Sequence, residues 1–431
     1  MKYPSIPSSL FKKRRAQFTK HMTPGAIAIF LSNDEMPRNG DQTFPFRQNS
    51  DTFLLSGLDQ EDSILVLFPD APKEEWKELA FIKKTNKEIA IWEGHKFTLR
   101  EAQEISGIQH IHWTDSFDNL LRQLLQYTSS IYINQNEQPK FSTPVRSKSM
   151  RFADFIQSNY PLHQLLRAQP ILRRMRTVKL QEEIDLIRQA CSITRDTFYD
   201  ILSFVKPGVW EYEIEAKILH GFISRRANGY AYYPIVASGA NANVLHYVAN
   251  NDQCSDGELI LMDFGAEYAN YAADTTRCIP VNGHFSPRQK QVYKAVQHVL
   301  NKATQLLKPG VLLDEYEKEV GKLMEQQLIH LGLITREDIA NQNPQSPAYK
   351  KYYMHGTSHH MGLDVHDVND RHTPLQDGVI VTCEPAIYIP EEGLGIRLEN
   401  DILISGNHPI NLMSDIPIEI EEIEELMNSG Q

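Results

Sequence analysis

The sequence of 431 residues lacks most signs of export, membrane insertion or nucleic-acid binding. Its four thiols are scattered, without the spacing of a disulfide framework or a thiolate zinc site: Cys191, Cys254, Cys278 and Cys383. No apolar run approaches the length of a membrane span, and the N-terminus has no signal-peptide pattern. The net charge of −11 argues against nucleic acid as the main partner. These absences predict a reducing, cytoplasmic protein without nucleic-acid or membrane partners.

The composition and length predict a globular protein of two domains. Apolar residues make up 41% of the chain and charged residues 23%, and the chain is too long for one ordinary domain. The N-terminal part alternates short apolar strands with helical stretches, which predicts an α/β domain with a partly parallel sheet. Polar, proline-containing segments around 139–144 and 159–170 indicate its end. The predicted domains are therefore 1–170 and 171–431.

An internal repeat divides the second domain into two related halves. Each copy of Lys-Pro-Gly-Val, at 206–209 and 308–311, stands between two stretches with apolar residues at helical spacing. The predicted helices cover 179–204, 211–226, 292–307 and 313–331. We expect each half to contribute strands as well, with a site in the cleft between the halves.

The stretch 259–277 contains two aspartates at the ends of strand-like runs. Asp263 follows the apolar run 259–262, and Asp274 follows a second run after a tight turn. With a two-residue tip at Tyr268-Ala269, an antiparallel hairpin places the aspartates opposite each other on one face. Two carboxylates this close repel each other and must be neutralised, and a metal ion is the favoured neutralising group.

Three later residues complete a candidate ligand set. His359 lies in a glycine-flanked segment, Glu384 ends the apolar strand 379–383, and Glu399 belongs to the alternating segment 396–402. A glutamate that ends a buried strand is costly unless it is neutralised. Each residue alone has an ordinary explanation: a turn-capping aspartate, an ion pair of Glu384 with Arg397, or a packed histidine. The five together favour a metal site.

The charges of this set match a pair of divalent ions. Four carboxylates carry −4 and two divalent ions carry +4, whereas a single ion would leave two negative charges buried. Bridging carboxylates can hold two ions about 3.5–4 Å apart around a shared water molecule. Because the donors are oxygens and one imidazole, Mn²⁺ is favoured, with cobalt, iron and catalytic zinc as alternatives.

These residues resemble the signature of the dinuclear "pita-bread" metallopeptidases, which include methionine aminopeptidase, Xaa-Pro aminopeptidase (aminopeptidase P) and Xaa-Pro dipeptidase (prolidase). The segment Phe-Pro-Phe-Arg-Gln-Asn-Ser-Asp at 44–51 is similar to the N-terminal domain of the Xaa-Pro enzymes. The segments 355–359 and 364–367 are most similar to aminopeptidase P. The resemblance implies an α/β (α+β) chain. An N-terminal creatinase/prolidase-type domain would precede a pita-bread domain with two pseudo-repeated halves.

The resemblance also implies roles for the ligand set. Asp263 would chelate one ion, and Asp274 with Glu399 would bridge both. His359 and Glu384 would complete the other ion's shell, and Glu384 would also act as general base. His246 would lie near the scissile peptide, and His366 would contact the substrate carbonyl.

Further residues match positions around the substrate in this family. The substrate-binding candidates are Arg397, Arg371, Tyr232, His355 and Asp41. Tyr232 would lie close to the ions, and Asp41 would reach the site of a neighbouring subunit, which implies a homo-oligomer, either a dimer or a tetramer. Two features depart from the family pattern: His360 replaces a bulky aromatic residue, and the segment 385–396 is short.

The implied activity is a metal-dependent aminopeptidase that hydrolyses the bond between an N-terminal residue and a penultimate proline. A hydroxide that bridges the two ions would attack the scissile carbonyl. Three alternatives stay open: an Xaa-Pro dipeptidase, a non-catalytic binding module of this fold, and creatinase-like chemistry without metals. The complete ligand set disfavours the last two.

Overall fold

The structure, a computed structural model, describes residues 3–429 in two compact units. The first unit is Tyr3–Met175, and the second begins at Arg176. The domain boundary predicted after residue 170 stays a prediction, and the division between the compact units lies a few residues later. Within residues 3–429, no helix combines the length and the apolar character that crossing a bilayer requires.

The first unit contains a mixed sheet. Its elements are α1 (Ser8–Thr19), β1 (Ile27–Leu31), β2 (Pro37–Asn39), β3 (Gln42–Thr43), α2 (Ser50–Ser56), β4 (Ile64–Leu67), β5 (Glu78–Ile82), α3 (Lys87–Glu93), α4 (Leu99–Ser106), β6 (His110–Trp113), α5 (Phe117–Leu124), β7 (Ser130–Ile133), α6 (Lys148–Asn159) and β8 (Gln164–Arg167). The helix α7 (Gln169–Thr177) runs across the division between the units. The six-stranded sheet has the order β6-β5-β4-β1-β7-β8. Three neighbouring pairs are parallel and two are antiparallel, which confirms the predicted partly parallel sheet.

One segment of the first unit differs from its prediction. The polar segment 159–170 contains β8, which pairs in parallel with β7 at the edge of the sheet. An edge strand has only one neighbour and is partly exposed, so it can be polar and escape a search for apolar runs. Its burial pattern agrees, since none of its residues is buried.

The motif at 44–51 has a structural role within the first unit. The Gln48 amide donates to the carbonyls of Leu58 and Gln60, at 2.7 and 3.0 Å. Asn49 caps α2 by accepting the N–H groups at its start. Gly57 ends α2 at φ 69°, and a Cβ there would lie 2.3 Å from the Phe11 ring. Gln48 and Asn49 of the motif therefore stabilise the start of α2 and the turn between α2 and β4.

The second unit contains the predicted repeat. Its elements are α8 (Gln181–Leu202), α9 (Glu211–Ser224), β9 (Gly229–Tyr230), β10 (Ile235–Ser238), β11 (Leu259–Phe264), β12 (Ala266–Tyr268), β13 (Tyr271–Ala272), β14 (Thr275–Pro280), α10 (Pro287–Leu306), α11 (Leu313–His330), α12 (Arg336–Ala340), β15 (Ile380–Cys383), β16 (Ala386–Ile389), β17 (Leu394–Arg397), β18 (Asn400–Leu403), β19 (Ile410–Asn411) and α13 (Ile420–Asn428). Each half has a helix pair followed by two short antiparallel sheets. These are β10-β11-β14 and β13-β12-β9 in the first half, and β15-β18-β19 and β16-β17 in the second. α10 starts earlier than predicted, because Ser286 caps it and Pro287 fits its first position.

The aspartate hairpin has a different register from the predicted one. Its tip is Ala269-Asn270, and both residues have positive φ, as a two-residue turn of the favoured type requires. Asp263 consequently faces Thr276 and not Asp274, so the predicted tip at Tyr268-Ala269 is wrong. The register moves by an even number of residues, so both aspartates still lie on the same face. Gly265 is required beside them, because a Cβ there would lie 1.7 Å from the Ala273 carbonyl oxygen.

Candidate metal centre

The two aspartates of the hairpin share one hydroxyl group. The Tyr232 hydroxyl lies 2.6 Å from Oδ1 of Asp263 and also contacts Oδ1 of Asp274. A phenol has one proton, so it can donate to only one of these carboxylates at a time. Further positive charge is therefore needed to hold the two carboxylates in this arrangement.

The second half of the repeat places its ligand candidates against these aspartates. Nε2 of His359 lies 3.4 Å from Oδ2 of Asp274 and 3.7 Å from Oε1 of Glu384. Asp274, His359 and Glu399 each offer a ligand atom, and these three atoms lie within 4.8 Å of one another. The structure therefore brings the five predicted ligands together from both halves.

Backbone and hydroxyl contacts hold these side chains at the ends of strands. The segment before His359 runs beside β15, where the Glu384 N–H donates to the Thr357 carbonyl at 2.9 Å. The Glu399 N–H donates to the carbonyl of Thr276 at 3.1 Å, and the Thr276 hydroxyl donates to the Glu399 carboxylate at 2.7 Å. Thr276 faces Asp263 across the hairpin, so one residue connects both halves of the site.

Burial makes the negative charges of this cluster expensive. Desolvation is the largest effect on three of the carboxyl groups and raises the pKa of Asp263 and Glu399, and that of Glu384 to about 7. Repulsion from Asp274 raises the pKa of Glu399 further. Carboxylates held in this way bind protons or metal ions strongly.

The pKa of His359 is also raised, but by its partners and not by burial. Burial lowers the pKa of its imidazole, but the hydrogen bond to Asp274 and the charge of Glu384 outweigh this effect and raise it to about 9. His359 and the three carboxyl groups with raised pKa values therefore bind protons more readily than the same groups in water. Four carboxylates and one imidazole form an oxygen-rich donor set without thiolates, which fits divalent metal ions.

Arg397 is anchored inside this cluster. Its guanidinium lies 2.6 Å from Oδ2 of Asp263, and it donates to the Thr276 hydroxyl at 3.0 Å and to the Tyr388 hydroxyl at 2.7 Å. Only 4% of Arg397 is exposed. The sequence-based alternative of an Arg397–Glu384 ion pair is replaced by a pair with Asp263. Arg397 therefore borders the ligands directly.

Three histidines surround the ligand set. The rings of His359 and His366 lie 4.3 Å apart, and His366 is exposed. Nε2 of His355 lies 2.9 Å from the Tyr388 hydroxyl, and desolvation lowers the pKa of His355 to about 3. The charge of His246, which is exposed, adds to that lowering. His246 and His366 can therefore present their imidazoles to a molecule at the site.

Two predicted substrate residues each contact a polar side chain that is not a candidate ligand. Arg371 is exposed and pairs with Asp314 of α11 at 3.1 Å. Asp41 belongs to the first unit, where its exposed carboxylate accepts from the Gln42 amide at 3.0 Å. Their substrate roles stay predictions.

Sequence reasoning missed several polar residues that support the site. Glu317 of α11 accepts the Thr357 and Ser358 N–H groups at 2.8 and 3.2 Å, just before His359. The fully buried carboxylate of Asp401 accepts the Asp274 N–H at 3.0 Å. The repeat contained a signal for Glu317, because Glu215 stands at the same distance after the first Lys-Pro-Gly-Val. Glu215 also binds a loop, since its carboxylate accepts a hydrogen bond from the Asn250 amide.

Family comparisons cover both units of the chain. Residues 185–406 match metallopeptidase family M24. Residues 11–132 match the N-terminal domain of aminopeptidase P. The M24 match contains all five candidate ligands.

Individual relatives match over nearly the whole length. The Xaa-Pro aminopeptidase of Haemophilus influenzae is 33% identical over 435 residues, covering 98% of each chain. Among solved structures, Pseudomonas aeruginosa aminopeptidase PepP superposes with a TM-score of 0.90 at 29% identity, covering 99% of each chain. A zinc-substituted aminopeptidase P of E. coli in complex with product gives a TM-score of 0.88 at 30% identity, covering 99% of this chain and 100% of that one.

Proposed function

Because the chain belongs to metallopeptidase family M24, we propose that it is a metal-dependent Xaa-Pro aminopeptidase, which removes an N-terminal residue that precedes proline. The observation that carries this proposal is the convergence of Asp263, Asp274, His359, Glu384 and Glu399 from distant parts of the chain. The polar groups that form hydrogen bonds with these side chains also support the proposal, since such partners orient metal ligands.

The proposed ligand roles are those that the family resemblance implies. Asp274 and Glu399 would bind both ions, Asp263 would bind one of them, and His359 with Glu384 would bind the other. The grouping of ligand atoms from Asp274, His359 and Glu399 within 4.8 Å of one another supports a shared site. Divalent ions held there supply positive charge that acidifies water and polarises a carbonyl group. Mn²⁺ is our proposed native ion because of the oxygen-rich donor set.

The remaining steps use the chain's own groups. Glu384, whose carboxylate lies 3.7 Å from the His359 imidazole, would accept a proton from the attacking water. It would return this proton to the leaving proline nitrogen. His246 would donate to the oxygen of the scissile carbonyl, and His366 would contact a substrate carbonyl. Proline has no N–H and a fixed ring, so a pocket shaped for that ring gives selectivity.

An Xaa-Pro tripeptide separates this proposal from a dipeptidase. We expect an Xaa-Pro-Xaa tripeptide to be cleaved after its first residue with kcat/KM at least about tenfold higher than an Xaa-Pro dipeptide, since extra contacts with the third residue add binding energy. Liquid chromatography of the products from both peptides, with an Xaa-Ala-Xaa tripeptide as control, measures this. Cleavage confined to the dipeptide would favour the dipeptidase, and no cleavage of any peptide would favour a binding module.

Three further features belong to the same proposal. We propose a cytoplasmic location, which the four unpaired buried thiols support, since such thiols suit a reducing compartment. We also propose a dimer or tetramer, because the role inferred for Asp41 requires a neighbouring subunit. Arg371 and His355 would bind substrate, with Tyr232 and Arg397 closer to the ions. Sedimentation velocity of the purified protein measures the assembly.

We expect the metal-free protein to lose thermal stability as the pH rises. The pKa values of Glu384 and His359 are raised, to about 7 and about 9, so the folded site keeps protons that the unfolded chain releases. A raised pKa contributes stability at low pH that is lost as the pH rises through the folded value. Tm of the chelator-treated protein, measured by scanning fluorimetry, should therefore fall between about pH 5 and about pH 9.

Two comparisons separate the effect of the metal site on Tm from the effects of titrating groups elsewhere in the chain. Added Mn²⁺ should raise Tm most at the highest pH, because metal ions and protons compete for the same ligands. The fall should be smaller in Glu384→Gln, which has one fewer titrating group. A fall of the same size in that variant would assign the effect to other residues.

A further inference from the structure

A buried carboxylate in the first half of the repeat organises the loop that carries His246. Glu211, the first residue of α9, is 0% exposed. Its Oε1 accepts the Ser238 N–H at 2.7 Å and the Ser238 hydroxyl at 2.8 Å. Its Oε2 accepts the Tyr247 hydroxyl at 2.8 Å and the Asp252 N–H at 3.0 Å. One carboxylate therefore holds the beginning, the middle and the end of the segment 238–252.

Backbone pairing closes the same segment at its C-terminal end. The Glu211 N–H donates to the Asp252 carbonyl at 3.0 Å, and the Cys254 N–H donates to the Val209 carbonyl at 2.8 Å. Asn250 fastens the segment to β10 by accepting the Val236 N–H at 3.0 Å. Backbone pairing together with the side chains of Glu211 and Asn250 thus fixes both ends of the loop, and side-chain contacts tie its centre to α9.

Tyr247 supplies those central contacts, and it is the neighbour of His246. Besides donating to Glu211, its hydroxyl accepts from the Asn241 amide at 3.1 Å. Its N–H closes a turn on the Val244 carbonyl at 3.2 Å. In contrast, the exposed imidazole of His246 has no hydrogen-bond partner within residues 3–429. The direction of that ring therefore depends on the backbone that Tyr247 holds.

We propose that Glu211 and Tyr247 are positioning residues that act through His246, by fixing the turn from which its imidazole reaches the substrate. The inference rests on the proposed function, because it assumes that His246 contacts the scissile carbonyl. Displacement of a catalytic group by about 1 Å can cost up to about a hundredfold in rate. A residue that fixes this group affects kcat without touching the substrate.

Tyr247→Phe is the most informative variant, because Glu211→Ala removes all the contacts of a buried carboxylate and can unfold the unit. We expect Tyr247→Phe to lower kcat on an Xaa-Pro-Xaa tripeptide by between about tenfold and about a hundredfold, with KM and metal content unchanged. In the His246→Ala background, Tyr247→Phe should lower kcat no further, since it acts through the missing ring. Equal losses in both backgrounds would overturn the inference.

Tyr293→Phe is the matched control. Tyr293 is buried and its hydroxyl donates to the Ile418 carbonyl at 2.8 Å, so this variant also removes a hydrogen-bonding tyrosine hydroxyl from the same unit. We expect both single variants to lower Tm by similar small amounts while only Tyr247→Phe lowers kcat. A comparable loss of kcat in Tyr293→Phe would indicate general destabilisation and overturn the inference.

A spectroscopic measurement keeps the inference testable without any assay of activity. In protein labelled with ¹³C at histidine Cε1, the resonance that disappears in His246→Ala identifies His246. We expect Tyr247→Phe to shift or broaden this resonance, and Tyr293→Phe to leave it unchanged. An unchanged resonance in Tyr247→Phe would overturn the positioning role. A changed resonance together with wild-type kcat in His246→Ala would support that role and instead refute the function proposed for His246.

Discussion

Replacing Glu384 by glutamine is expected to lower kcat by about a thousandfold, because a positioned general acid–base group contributes about 10²–10⁴-fold to a rate. The side chain lies 3.7 Å from the imidazole of His359, among the candidate metal ligands. Glutamine keeps the size and one oxygen of the side chain but has no site for that proton.

The metal content of this variant decides how the loss is interpreted. Elemental analysis and steady-state kinetics on the same preparation are expected to show lost turnover together with at least one retained ion per chain, since the other ligands remain. Glu391→Gln, a change of an exposed carboxylate in the turn before β17, is the matched control and should keep wild-type kcat. Full activity of Glu384→Gln would refute its role as general base.

Removal of the metal ions is expected to abolish peptide hydrolysis and to lower Tm. The buried carboxylates and the imidazole lose their main neutralising charges, and protons replace these charges only in part. Chelation followed by dialysis, elemental analysis and the tripeptide assay measures the effect. Titration with Mn²⁺ should restore activity with a stoichiometry of two ions per chain.

The control for chelation is the same chelator presaturated with the added ion. It should leave both activity and Tm unchanged, which separates metal removal from any effect of the reagent. Comparison of Mn²⁺, Co²⁺ and Zn²⁺ at equal occupancy then identifies the most active ion. Full turnover by protein that contains less than about a tenth of an ion per chain would contradict metal catalysis.

The ligand candidates could be predicted from the sequence because each stands at a recognisable transition. Glu384 follows a buried apolar strand, and Asp263 is the second-last residue of another. A buried carboxylate at such a place is costly without a counter-charge, so the sequence alone indicates that a cation binds there. The repeat could be predicted as well, because Lys-Pro-Gly-Val lies between the two helices of each helix pair. The sequence also predicted that these residues share one site, whereas the distances between them needed the three-dimensional structure.

Register and partner choice could not be predicted in the same way. The tip at Ala269-Asn270 depends on an alanine with φ 51°, a conformation that sequence patterns rarely assign to alanine. The contact of Arg397 with Asp263 joins residues that are distant in sequence, and alternation within a strand does not identify it. Tyr388 and Glu317 were missed because each acts through a neighbour.

The division of the ligands between the repeat halves links folding to cofactor loading. Asp263 and Asp274 come from the first half, whereas His359, Glu384 and Glu399 come from the second. Neither half alone contains all five candidate ligands, so the free energy of binding ions at these residues would also favour association of the halves. Newly synthesised chains would therefore mature fully only when the ions arrive, and cellular metal supply would govern how long the enzyme survives as well as how fast it works.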